Sequence, residues 1–136
     1  MLAPIVSLMG PTASGKSELA ASLAAALNGE LISVDSALIY KGFNIGAAKP
    51  CHPHHLINFR DPVSPYSAAE FVKDANLIIS DIRSRSKLPI LVGGSMLYFR
   101  ALIFGMSEMP GTNLEMRLKI EREAKKKGWS ALYSEL

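Results

Sequence analysis

The apolar run Ile5-Val-Ser-Leu-Met9, with a helical pattern close behind it, predicts a short buried strand. Gly10 to Gly15 reads as a turn, and Lys16 to Leu27 as an alanine-rich helix closed by Asn28-Gly29. A second buried strand is expected at Leu31-Ile-Ser-Val34, ending at Asp35-Ser36. From Tyr40 to Pro65, glycine, proline and histidine interrupt any period, so this stretch is expected to be loop with short elements. Ser67-Ala-Ala-Glu70 has the form of a capping box and opens a helix to about Ser86, with Phe71, Ala75, Ile78 and Ile82 on one face. Leu88 to Val92 is the third strand, followed directly by Gly93-Gly94 and by a helix from Met96 to Phe104. After a break at Pro110-Gly111, Thr112-Asn-Leu-Glu115 is a second capping box ahead of a charged helix that stops at Gly128.

Strands that alternate with helices imply an α/β fold, a parallel sheet flanked by helices, with its ligand site beyond the carboxyl ends of the strands. Gly10, Asp35 and Gly93 meet that condition. The expected division is an α/β core over residues 1–111 and the start of a helical region over 112–136. In the latter, Leu114, Leu118, Ile120 and Ala124 form a narrow apolar stripe whose partner elements are missing from the chain.

Composition narrows this little further. The 136 residues are 49% hydrophobic and 20% charged, the profile of one soluble globular domain. Runs such as Ile5–Met9 and Leu88–Val92 are far shorter than the roughly 20 residues a membrane helix requires, and no basic region precedes a signal-like core. A cytoplasmic protein with no membrane partner is expected. The single cysteine, Cys51, excludes an internal disulfide and reads as an incidental loop thiol. The net charge of +3 permits an anionic partner without the concentrated stripe that marks nucleic-acid binding. Lys125-Lys126-Lys127 complements a helix C-terminus, an account at least as good as a phosphate contact.

The stretch Gly10-Pro-Thr-Ala-Ser-Gly15-Lys16-Ser17 satisfies the phosphate-loop pattern at every fixed position, and a predicted strand and helix flank it as the pattern requires. Glycines let backbone N–H groups turn toward phosphate oxygens, and the helix N-terminus adds its positive end. Lys16 is expected to reach terminal or bridging phosphate oxygens and Ser17 to help hold Mg²⁺. Gly10 to Ser17 is thus the candidate diphosphate site in a P-loop, NTPase-like sheet. Asp35, at the carboxyl end of the second strand, either caps a turn or accepts a proton beside that ligand. The loop does not name the reaction, because a small-molecule kinase would use the same lysine and aspartate.

The surrounding residues form a longer series of motifs. Ile32-Ser-Val-Asp-Ser-Ala-Leu-Ile-Tyr40, Ile45-Gly46 with Ala48-Lys-Pro50, and Pro53-His-His-Leu-Ile57 stand in order. Arg60-Asp-Pro62, Tyr66-Ser-Ala-Ala-Glu-Phe71 and Gly93-Gly-Ser-Met-Leu-Tyr98 follow. Together they resemble the tRNA dimethylallyltransferase family, from Leu8 to about Leu136. The resemblance implies transfer of a dimethylallyl group from dimethylallyl diphosphate to the exocyclic amine of the adenine at position 37, just 3′ of the anticodon. It also implies Mg²⁺ as cofactor and a monomeric enzyme. Asp35 and Lys16 would then be catalytic, with Gly10, Pro11, Thr12, Ala13, Ser14, Gly15, Lys16 and Ser17 around the prenyl diphosphate. Asp35, Ser36, Ala37, Leu38, Ser95 and Arg117 would contact the tRNA anticodon loop.

Several of these positions have plainer alternatives. Ser95 after two glycines is equally a helix N-cap, Arg117 on a charged helix equally a solvated side chain, and His54 and His55 read as loop residues rather than metal ligands. The chain departs from the family's usual pattern in having Ala47 and Ser95 for threonine and Asn58 for aspartate. The segment between Pro50 and His54 is short, and typical members are considerably longer than this chain. An inactive diphosphate-binding fragment is the remaining alternative.

Overall fold

The computed structural model describes residues 4–42, 50–106 and 113–135. The chain divides into two compact units, Met1–Met106 and Ser107–Leu136. In the first, β1 (Val6–Met9), α1 (Lys16–Ala26), β2 (Gly29–Val34), β3 (His54–His55), α2 (Ala68–Ser84), β4 (Leu88–Gly93) and α3 (Met96–Phe104) follow one another. The strands form one parallel sheet in the order β1-β4-β2-β3. The Pro110-Gly111 break and Thr112 fall outside the described residues, as do Ile45 to Lys49.

Alternation along β2 and β4 builds a core on each face of the sheet. Leu31, Ile90 and Val92 pack with Ala20 of α1, while Ile32, Val34 and Leu91 pack with Phe71, Ala75, Ile79 and Ile82 of α2 and with Tyr98, Phe99 and Ala101 of α3. Ile79 joins Phe71, Ala75 and Ile82 as buried residues of α2 because it continues the i, i+4 row from Ala75, and the expected Ile78 packs half-buried against the same core. The side chain of Phe71 is fully buried and stacks on Tyr98 with centroids 4.6 Å apart, a burial worth roughly 1.5–3 kcal/mol.

Two local expectations are corrected. Gly29 is not the helix stop. Asn28 takes the left-handed conformation (φ 50°), and Gly29 opens β2, where a Cβ would stand 2.7 Å from Ile90 Cδ1. His54 and His55 form β3 and pair with Leu31 and Ile32, because β2 would otherwise be an open edge there. In the second unit, α4 (Leu114–Lys127) is capped by Asn113, whose Oδ1 accepts from the Met116 N–H at 3.1 Å; the expected capping box of Thr112 and Glu115 rests on a residue outside those described. Gly128 (φ 84°) ends α4, and a six-residue helix, α5 (Trp129–Ser134), follows.

At the amino ends of β2 and β4, Glu30 binds Arg85 through both carboxylate oxygens. It also accepts from Lys87 at 2.7 Å and pairs with His55 at 2.9 Å. The Arg85 guanidinium first, and the Lys87 ammonium next, hold the Glu30 carboxyl far below its ordinary value. A depressed carboxyl stabilises the fold above its unfolded-state pKa and loses that contribution as pH falls below it. The urea midpoint of Glu30→Gln is therefore expected to lie below that of the wild type at neutral pH and to fall less steeply between about pH 6 and 3.

Candidate functional site

The carboxyl ends of β1, β2 and β4 converge because glycine occupies the crossing. A Cβ at Gly93 would lie 2.0 Å from the Val34 carbonyl oxygen, and one at Gly94 3.2 Å from that of Gly10. The Gly10 N–H donates to the Gly93 carbonyl at 3.3 Å, and the Ser95 N–H to the Val34 carbonyl at 3.2 Å. Gly93→Ala is expected to force β2 and β4 apart at their site ends and to cost about 1–3 kcal/mol, read as a lowered Tm.

A cleft of about 440 Å³ opens above this crossing, lined by Thr12 to Glu18, Ser33, Asp35, Ala37, Leu38, Pro50, His54, Val92, Gly93 and Gly94. Six of the eight loop residues, Thr12 to Ser17, line it. Gly10 and Pro11 do not; the Gly10 N–H is used on Gly93 and Pro11 has none. Ala13 (φ 61°) and Gly15 (φ 81°) both take left-handed conformations, which turn successive N–H groups to one side as in an anion nest. Gly15 caps α1 without a side-chain hydrogen bond, so the first N–H groups of the helix have no side-chain cap. The Lys16 ammonium is folded back onto the loop, donating to the Pro11 carbonyl and to Ser14 Oγ at 3.1 Å.

Asp35 faces this loop across the cleft. Its Oδ1 accepts the N–H groups of Ala37 (2.8 Å) and Leu38 (3.2 Å), which makes Asp35 to Leu38 a tight turn. Oδ2 makes no hydrogen bond among the described residues. Ser95 stands at the N-cap position of α3 yet makes no side-chain cap bond; its Oγ accepts from the Ser36 N–H at 2.9 Å. Asp35, Ser36, Ala37, Leu38 and Ser95 are thus brought together. Arg117 stands in the second unit on α4, 67% exposed and paired with Glu121 at 3.1 Å.

The structure adds His54 to the cleft, a residue that periodicity and motif spacing left in a loop. Burial pushes its imidazole below the ordinary value, so it is neutral at neutral pH. Nδ1 lies 2.7 Å from the His52 carbonyl and must donate to it, which leaves Nε2 an acceptor, buried and without a partner among the described residues. For a divalent cation, the oxygens of Ser17, Glu18 and Asp35 around the cleft are hard donors of the kind Mg²⁺ takes. No group of three or more His, Cys, Asp or Glu able to hold a metal exists among the described residues.

The IPP transferase family model matches residues 38–136. A tRNA dimethylallyltransferase of Polaromonas sp. is 53% identical over 98% of this chain, and one of Halorhodospira halophila 54% identical over all of it. The chain spans 42% and 46% of the lengths of these relatives. Among solved structures, a full-length tRNA isopentenylpyrophosphate transferase from Bacillus halodurans superposes with a TM-score of 0.74 at 38% identity. That match covers 96% of this chain and 46% of the other. The relatives extend the likeness across the loop that precedes residue 38, and with the P-loop NTPase-like sheet this settles the lineage: the chain belongs to the IPP transferase family.

Proposed function

We propose that the chain carries the donor-binding and proton-accepting parts of a tRNA dimethylallyltransferase. On this reading the donor is dimethylallyl diphosphate and the acceptor the exocyclic amine of adenine 37 in the anticodon loop. The observation that carries the reading is one cleft faced by the phosphate loop with Lys16 on one side and by Asp35 on the other.

The diphosphate would lie against the N–H groups of Thr12 to Ser17, with Lys16 moving from the Pro11 carbonyl to phosphate oxygens. Attack of the adenine N6 on C1 of the dimethylallyl group forms the C–N bond, breaks the C–O bond and releases inorganic diphosphate. Negative charge growing on the leaving group is stabilised by the loop amides and Lys16, preorganised donors of the kind that usually supply the largest catalytic contribution. The amine lone pair is delocalised into the ring, so the proton on N6 must leave as the new bond forms, and Asp35 Oδ2 is the acceptor. Ser17 would hold Mg²⁺, which when bound neutralises diphosphate charge. Ser36, Ala37, Leu38 and Ser95 line the approach of a base turned out of its stack, at modest cost in a single-stranded loop. Arg117 would contact RNA from the helical region that starts near residue 112. The enzyme would act as a cytoplasmic monomer; among the described residues no helix is long and apolar enough to cross a membrane.

The test is transfer of label from dimethylallyl diphosphate to an anticodon stem-loop carrying adenine 37, run beside an ATP control. It should be performed on the 136-residue chain and on the chain joined to the remaining length of the Halorhodospira relative. Label in the RNA with no use of ATP is expected. Phosphoryl turnover without prenylation, or diphosphate binding without transfer in both forms, overturns the proposal.

A further inference from the structure

Arg60-Asp-Pro62 is a conspicuous motif with no part in the chemistry above. Its backbone, however, runs beside the segment that continues the Asp35 turn. The Asn58 N–H donates to the Leu38 carbonyl at 3.0 Å, and the N–H groups of Phe59 and Arg60 donate to the Ile39 carbonyl at 3.0 and 2.9 Å. The Lys41 N–H donates back to the Arg60 carbonyl at 2.9 Å. Tyr40 and Arg60 form a parallel bridge. One end of the turn is thus fixed by Asp35 Oδ1 and Ser95 Oγ, and the other by the strip 58–60.

The strip is in turn tied to α2 by the Arg60 side chain. Its Nη2 donates to the Pro65 carbonyl at 2.9 Å and to Glu70 Oε1 at 2.8 Å, its Nε to the Ser64 carbonyl at 3.4 Å, and the guanidinium lies 5.4 Å from the centre of the Tyr66 ring. Glu70 Oε2 accepts the Ser67 N–H at 2.9 Å in the capping box of α2. The Ser67 backbone and hydroxyl, and then Arg60, hold the Glu70 carboxyl below its ordinary value. An ion pair this exposed would contribute little as charge alone. A planar fork shared among two carbonyls, a carboxylate and a ring face instead fixes a geometry, which a lysine cannot reproduce.

We propose that Arg60 is a positioning residue for the acceptor side of the site: through strip 58–60 it holds the Asp35–Leu38 turn at a fixed distance from the phosphate loop. This rests on the prenyl-transfer reading of Asp35. Small displacements of a reacting group are costly, about a hundredfold for 1 Å. Arg60→Ala is therefore expected to lower kcat by about ten- to a hundredfold with the KM for dimethylallyl diphosphate unchanged, and Arg60→Lys to fall between. In the 136-residue chain, amide hydrogen exchange at Ala37 and Leu38 should quicken about tenfold in Arg60→Ala, while Ile90, Leu91 and Val92 exchange as in the wild type.

Unchanged kcat together with unchanged exchange at Ala37 and Leu38 overturns the assignment. An equal loss of protection at β4 overturns it too, since that marks a general loss of stability. If the wild type itself transfers nothing, the functional reading falls, and exchange at Ala37 and Leu38 alone decides whether Arg60 holds the turn.

Discussion

Lys16→Ala is expected to lower the affinity for dimethylallyl diphosphate by about a thousandfold, measured by titration calorimetry at fixed ionic strength. Among the described residues that line the cleft Lys16 alone is a lysine or arginine, and the partners of its ammonium, the Pro11 carbonyl and Ser14 Oγ, are replaceable by phosphate oxygens. Two charge-assisted hydrogen bonds to a diphosphate contribute about 4 kcal/mol, which converts to that factor. The loop amides would remain, so weak binding should persist and should be more sensitive to salt than the fold is. Lys16 bonds no element of the core, and the variant should keep the Tm of the wild type. Retention of affinity within a factor of ten would remove Lys16 from the site.

The second large effect belongs to Asp35, and its two oxygens allow it to be divided. In Asp35→Asn the Oδ1 acceptor for the Ala37 and Leu38 N–H groups survives, so the turn should be kept while the proton acceptor is lost. Transfer should slow by about 10²–10⁴-fold, the usual contribution of a general base, with diphosphate affinity as in the wild type. Asp35→Ala removes the turn's acceptor as well, and should raise the KM for RNA in addition to lowering kcat. Single-turnover kinetics with both variants separates the two roles. Full rate in Asp35→Asn would show that the proton leaves by another route.

The architecture was readable in the sequence because its signals are short-range. Ile5 to Met9 and Leu88 to Val92 are apolar runs, Ser67 and Glu70 form a capping box, and the loop at Gly10 has a fixed spacing. What could not be read depends on contacts between distant residues. The pairing of His54 and His55 with β2 follows from an open edge rather than from β-propensity. The need for glycine at 93 comes from a carbonyl 59 positions earlier in the chain, at Val34. Ser95 was legible as a residue at the site, but its hydroxyl could as well have capped α3; the approach of Ser36 decides that. The place of His54 in the cleft is not legible in the sequence, because burial and the direction of a ring nitrogen leave no mark in periodicity.

The strand order has a consequence for how the molecule comes into being. β4 lies between β1 and β2, so until residues 88–93 have been made β1 has no partner in the sheet and β2 has only the two-residue β3 on its other edge. Pairings over such sequence separations are slow to form, since the chain must be closed into long loops before any ladder bond repays it. During synthesis at about 5–20 residues per second, β1 and β2 would spend several seconds with bare edges, a period in which a chaperone or a neighbouring nascent chain competes with β4 for them. The cleft is therefore one of the last features to appear, and it appears all at once, when a single strand slides between two that have been waiting.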